Sequence, residues 1–246
     1  LHLCDRRQRQ MCIRDSYMPY FDPTYVLILI GMVLSLMASA KLNATYSTYA
    51  RVGSRCGLTG AEAAERLLRS QGIYDVAVRR VSGHLTDHYD PRTKTVNLSD
   101  AVYGATSIAA IGVAAHECGH AMQDAGEYIP LRLRAALVPV ANFGAQISWP
   151  LILIGFFIGG GFLVDIGILL FSAAVLFQLV TLPVEYNASH RAVKLLDSIG
   201  ILRDQEVGQA RKVLGAAALT YVAAAAASVL QLLRLLLLFG NRDRDN

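Results

Sequence analysis

Charge is scarce in this chain. Asp, Glu, Lys and Arg make up only 17% of 246 residues, while 54% are hydrophobic. An ordinary soluble domain carries about a quarter charged residues, so the composition points to a membrane protein. Paired cysteines are also missing. The four cysteines include no C-x-x-C pair, and Cys118 lies inside another motif, so no disulfide scaffold is indicated and nothing asks for an oxidising compartment. A basic patch is absent as well: the net charge is only +4 and the arginines are dispersed, which argues against nucleic-acid binding. The first residues, Leu1 to Tyr17, are polar and basic with no apolar core, so they do not form a secretory signal. They read as a non-native extension before a natural start at Met18.

Where charge is missing, apolar runs take its place. They cover Tyr25–Ala40, the stretch after Arg134 to Val164, Ile166–Val184, and Val213–Leu233 with a continuation after Arg234. A spanning helix needs about 20 such residues, which the second and third runs meet clearly. The fourth is ambiguous, because it can span or can pack on the bundle with Arg234 snorkelling. Three to four transmembrane helices are therefore expected. Lys and Arg are abundant between Lys41 and Arg134 and between Glu185 and Lys212, whereas the Gly159-Gly160-Gly161 link between the second and third runs has none nearby. The positive-inside rule then puts both basic segments in the cytoplasm. The resulting division is 1–17 extension, 18–42 first transmembrane helix, 43–134 cytoplasmic catalytic segment, 135–184 transmembrane hairpin, 185–212 helical segment, and 213–246 C-terminal hydrophobic helix and polar tail.

The catalytic segment is named for His116-Glu117-Cys118-Gly119-His120, an H-E-x-x-H motif. Residues at i and i+4 share one helix face, so both imidazoles can reach one metal ion, and Glu117 can serve as general base towards a water there. Two imidazoles with an acid between them suit Zn2+. A chance H-E-x-x-H on a core or surface helix is the bland alternative. Against it stand the uncharged approach from Val113 and the helix-weakening Gly119, which suggests something packed close to the backbone. Upstream, Thr59 and Glu62 form a capping box for a helix to about Ser70. Val76–Val81 reads as a strand, Asp90–Lys94 as a turn, Thr95–Leu98 as the returning strand, and Ala101–Ala125 as the metal helix.

Catalytic zinc usually takes three protein ligands. A third histidine at the H-x-x-G-x-x-H spacing is absent after His120. Glu185, where the third apolar run ends, is the strongest candidate, because a hairpin would return it to the side of the metal helix. Glu127 competes, only seven residues after His120. Ser189, one turn after Glu185, and Asn187 are candidates to hydrogen-bond a ligand imidazole. Asp87 and His88 stand beside a strand edge that can pair with an extended substrate, or else form a simple turn cluster. Tyr186, His190 and Arg191 are candidates to steady a developing oxyanion, although His190 also reads as a solvated helix residue.

Three segments together, His116–His120, Thr86–Pro91 and Leu182–Ser189, resemble the YugP-like bacterial membrane zinc metallopeptidases over nearly all of Met18 to Asn246. More distantly the plan is similar to the HtpX and CAAX-prenyl endopeptidase group, from which the chain departs in having Ser189 where that group has an acid. The resemblance implies a mostly α membrane protein with a gluzincin-like core of H-E-x-x-H helix plus a small β-hairpin or sheet. It implies one Zn2+ per chain held by His116, His120 and Glu185, with Glu117 as catalytic base. It also implies a multi-pass protein of the bacterial inner membrane, with the bilayer and a peptide or membrane-protein substrate as partners. Two rivals remain at this stage. One is a non-catalytic membrane protein with a structural zinc clip, disfavoured by the presence of Glu117. The other is a channel or transporter, disfavoured by spans nearly free of ionisable groups.

Overall fold

The computed structural model describes residues 22–83 and 86–240, so the segment Leu1 to Tyr17 lies outside the described residues. The described chain is mostly helical. In order it forms α1 (Tyr25–Ala50), α2 (Gly60–Ser70), β1 (Ala77–Val81), β2 (His88–Asp90), β3 (Thr95–Ser99), α3 (Asp100–Tyr103), α4 (Ile108–Ala125), α5 (Ile129–Ile158), α6 (Gly161–Ser198) and α7 (Gln205–Phe239).

Four helices, α1, α5, α6 and α7, are long and apolar enough to cross a membrane. Their outward faces carry large apolar side chains, among them Leu36, Met37, Phe143, Phe157, Leu169 and Leu237, all well exposed. Such surface is costly in water and natural against lipid tails. The fourth apolar run is thus part of one continuous 35-residue helix. Likewise, α6 runs unbroken for 38 residues through Glu185 to Ser198. At 1.5 Å per residue, Glu185 lies about 36 Å along α6 from Gly161, just past the thickness of a hydrocarbon core of about 30 Å.

Glycines bring α5 and α6 together. A Cβ on Gly144 would stand 2.7 Å from Leu170 O, and one on Gly167 would stand 2.9 Å from Ser148 O. Small residues of this kind let helix backbones approach where no hydrophobic force distinguishes lipid from side chain. The hairpin turns at Gly159, whose φ of 74° is open to glycine without strain.

The remaining elements form a compact unit at the opposite end from this turn. Thr59 caps α2 as expected: its hydroxyl accepts from Glu62 N at 3.2 Å, and Glu62 Oε2 accepts from Thr59 N at 2.8 Å. Its buried face, with Ala63, Ala64, Leu67 and Leu68, packs in one core with Val96, Leu98, Ile111, Ala115, Leu196 and Leu202. The core therefore sandwiches α4 between α2, the sheet, and the ends of α6 and α7.

Two details differ from the sequence expectation. The sheet order is β1-β3-β2, with β3 antiparallel to β2 and parallel to β1. Thr95–Ser99 is thus the central strand as well as the returning one, which fits its nearly complete burial. The helix expected from Ala101 also breaks after Tyr103, and Ser107 starts α4 afresh by accepting from Ala110 N at 3.2 Å. Gly53 bridges to Ser107 there, so the interruption ties α1's exit to the start of the metal helix.

Gly167→Leu should splay the α5–α6 hairpin, since even one Cβ meets backbone there. Overpacking of this kind costs about 1–3 kcal/mol, so the unfolding temperature in detergent should fall by several degrees, as scanning calorimetry would read.

Candidate metal centre

The site begins where α4 crosses α6. A Cβ on Gly119 would lie 2.5 Å from Ala188 O and 3.1 Å from Ala188 Cα. Glycine is required because the two backbones touch. The contact presents the α4 face bearing His116 and His120 to the α6 turn bearing Glu185 and Ser189. Glu185 Oε2 lies 3.2 Å from His116 Nε2 and 3.6 Å from His120 Nε2. Donors about 2 Å from a tetrahedral ion stand roughly 3.3 Å apart, so two imidazoles and a carboxylate at these separations fit zinc. Among the described residues, His116, His120 and Glu185 form the group able to hold a metal, with ligand atoms all within 4.8 Å of one another.

Each ligand is held from behind. Nδ1 of His116 lies 3.0 Å from Ser189 Oγ, and Nδ1 of His120 lies 3.0 Å from Gln123 Oε1. Occupying both Nδ1 atoms turns both Nε2 atoms inward, which fixes the tautomer a metal needs. Gln123 is fully buried, and its Nε2 donates to Val184 O at 2.8 Å and Asn187 Oδ1 at 3.1 Å. One amide thus ties the metal helix to the α6 turn that carries Glu185. The other oxygen of Glu185, Oε1, accepts from Arg134 Nη1 at 3.1 Å. A carboxylate only 2% exposed needs such a partner, since an unpaired buried charge is costly. Burial opposes protonation of His120, but its bond to Glu185 and the charge of Glu117 outweigh this and raise its pKa above the usual histidine value.

The centre opens into a cleft of about 320 Å³ lined by Glu117, His88, Tyr89, Asp124, Arg134 and Tyr221 among others. Cys118, between the ligands in sequence, points the other way: it is buried, with Sγ 3.6 Å from Ala64 O. Burial raises its thiol pKa well above normal, so it stays protonated and inert. The β2 strand forms one rim. Tyr89 donates to Asp124 Oδ2 at 2.8 Å, and Lys94 Nζ donates to the same oxygen at 2.6 Å. Burial, with that bond to Asp124, pushes the Tyr89 phenol up, so it stays a donor.

The sequence-derived residues fall in different places. Asp87 lines the cleft but is committed to Ser99, accepting from its N at 2.7 Å and its Oγ at 3.0 Å. His88 is exposed on the same rim, with Nδ1 donating to Thr86 O at 2.8 Å. Asn187 accepts from both Gln123 and Arg191 Nε, the latter at 2.7 Å. Tyr186 and His190 face a separate groove between α6 and α7, away from the three-ligand centre. Glu127 sits past the end of α4 with φ 49° and pairs with Arg132 at 2.8 Å, outside the ligand group. Three cleft residues had no signal in the sequence reading: Gln123, Arg134 and Tyr221.

A protein family described as "Putative neutral zinc metallopeptidase" matches residues 24–240. Among curated proteins, "Putative membrane protease YugP" of Bacillus subtilis (strain 168) is 47% identical over 220 residues, covering 89% of this chain and 98% of that protein. No solved structure is significantly similar.

Removing the partner behind either imidazole should weaken metal binding without dispersing the ligands. Ser189→Ala and Gln123→Leu are each expected to lower zinc affinity about 10- to 100-fold in competition with a chromophoric chelator. Gly119→Ala should cost more, because it pushes the whole α6 turn away from α4, and the purified variant should carry little zinc by elemental analysis.

Proposed function

The chain belongs to the neutral zinc metallopeptidase family, and on that footing we propose that it is a membrane-embedded, zinc-dependent endopeptidase. One observation carries the reading: Glu117 shares an open cleft with a His-His-Glu set spaced for one zinc ion. A structural zinc clip would instead take four protein ligands and close around the ion. Bound at His116, His120 and Glu185, one zinc per chain would supply Lewis acidity to an attacking water and to the scissile carbonyl.

The chain's own residues do the rest. Glu117 takes a proton from the attacking water and delivers it to the departing amine. Sheet order leaves β2 with a free edge on the cleft, so an extended peptide can add to it by main-chain hydrogen bonds. Tyr221 lines the cleft from α7 and offers a hydroxyl to the developing oxyanion. This role goes to Tyr221 rather than to Tyr186 or His190, which face the other groove. Arg134 donates to Glu185 Oε1 and holds that carboxylate in place. The lysines and arginines between the spans support a cleft on the cytoplasmic face, in this reading that of the bacterial inner membrane. Substrates would then be membrane-protein segments or peptides reaching that surface.

Glu117→Gln should retain zinc but lose at least about a hundredfold in kcat on an unfolded protein substrate. Unchanged cleavage by that variant would refute the mechanism. Tyr221→Phe is expected to lower kcat about tenfold or more while KM and zinc content stay constant. A reporter fused after Asn246 tests the topology: three further crossings after a cytoplasmic cleft segment predict activity outside the cytoplasm, and cytoplasmic activity would contradict four spans with a cytoplasmic cleft.

A further inference from the structure

The antiparallel pair α1 and α7 changes character along its length. At the end away from the metal centre it is clasped by opposite charges: Arg234 Nη2 lies 3.5 Å from Asp22 Oδ2, and the guanidinium sits 4.5 Å over the Tyr25 ring. In the middle the backbones touch, since a Cβ on Gly31 would stand 3.1 Å from Ala227 Cα. Carried on at the same register, the pairing brings Lys41 level with Ala217 and Thr45 level with Val213, the neighbour of Lys212. There the helices part.

The gap is a groove of about 600 Å³ lined by Lys41, Thr45, Thr48, Tyr49, Lys212 and Gly215, with no carboxylate on its wall. Among the described residues neither ammonium has an ion-pair partner. Gly215 does not serve close packing, because a Cβ there would meet nothing within 4 Å. It leaves room instead. Both lysines line the one groove, so an anion seated there is attracted by two positive charges.

The level of the groove indicates which anion. Lys41 is the first charged residue after the apolar run of α1, and Lys212 is the last before that of α7. Both therefore mark the plane where the apolar slab ends, at headgroup depth on the side of the metal centre. We propose that this groove binds the phosphate of a net-anionic phospholipid from that leaflet, with hydroxyls of Thr45 and Tyr49 available as further donors and the acyl chains lying along α1 and α7. A zwitterionic lipid would bring its own ammonium into a groove that has no carboxylate to receive it.

The test uses the full-length, zinc-loaded protein in a neutral detergent, with unfolding temperature followed during separate titrations with phosphatidylglycerol, phosphatidylcholine and inorganic phosphate. Phosphatidylglycerol should raise the unfolding temperature by about 4–8 °C, and the other two should leave it nearly unchanged. The Lys41→Gln/Lys212→Gln variant should lose that rise while keeping its zinc. Gly215→Leu, which fills the groove and leaves the charges, should lose it too, and this variant decides the matter if the double variant does not fold. An equal rise with phosphatidylcholine or inorganic phosphate, or a phosphatidylglycerol rise that survives Gly215→Leu, overturns the proposal. None of these readouts depends on proteolysis.

Discussion

The backbone contact between Gly119 and Ala188 is the constraint on which the centre depends. Two imidazoles on one helix can meet a carboxylate from another only if the helices cross closely at that turn. A side chain at 119 would hold them apart by about the width of a methyl group, and the donor spacings of 3.2 and 3.6 Å would be lost. The cost in helix propensity, roughly 1 kcal/mol for glycine against alanine, is small beside the contacts it permits. Those contacts include Ser189 behind His116 and Gln123 behind His120, both of which need the same approach.

Close approach creates an electrostatic problem that the neighbouring residues solve. It buries Glu185 almost completely beside a second carboxylate, Glu117, on the metal helix. Arg134 from α5 meets one oxygen of Glu185, and the imidazoles meet the other. A buried anion with both oxygens engaged is tolerable, whereas one without partners is not. Gln123 does the equivalent for neutral groups: both its amide hydrogens and its carbonyl oxygen find partners inside the protein. The polar groups of the candidate centre are therefore satisfied, and their hydrogen bonds orient His116, His120 and Glu185 towards one another, as a metal site requires.

How much of this could be read from the sequence follows from the range over which each signal acts. The metal helix, the capping box at Thr59 and the spans are local patterns, so periodicity and charge scarcity expose them. Glu185 was accessible because a hairpin of known length returns its end to the side it left. The parallel pairing of β1 with β3 was not, since it is decided by which strand is buried on both faces, and Thr95–Ser99 shows that only in three dimensions. Gln123, Arg134 and Tyr221 escaped for a related reason. A glutamine at the end of an apolar helix, an arginine at the edge of a span and a tyrosine within one are each ordinary there. Their meaning comes from the rotation of three different helices about the α6 turn that carries Glu185.

That dependence on rotation changes what the apolar helices are for. If the bundle were only an anchor, its packing could vary without effect on the cleft. Yet α5 contributes Arg134, α6 contributes Glu185, and α7 contributes Tyr221 to one cleft. Three of the four helices able to cross a membrane therefore supply a side chain within reach of the metal ligands. The glycine contacts at Gly144 and Gly167 seat α5, which carries Arg134, on α6, which carries Glu185. The helix that carries Tyr221 is itself packed on α1 through Gly31 and the Arg234–Asp22 clasp. The helices able to cross a membrane are thus the same helices that build the cleft, so their packing and the geometry of the site cannot be described separately.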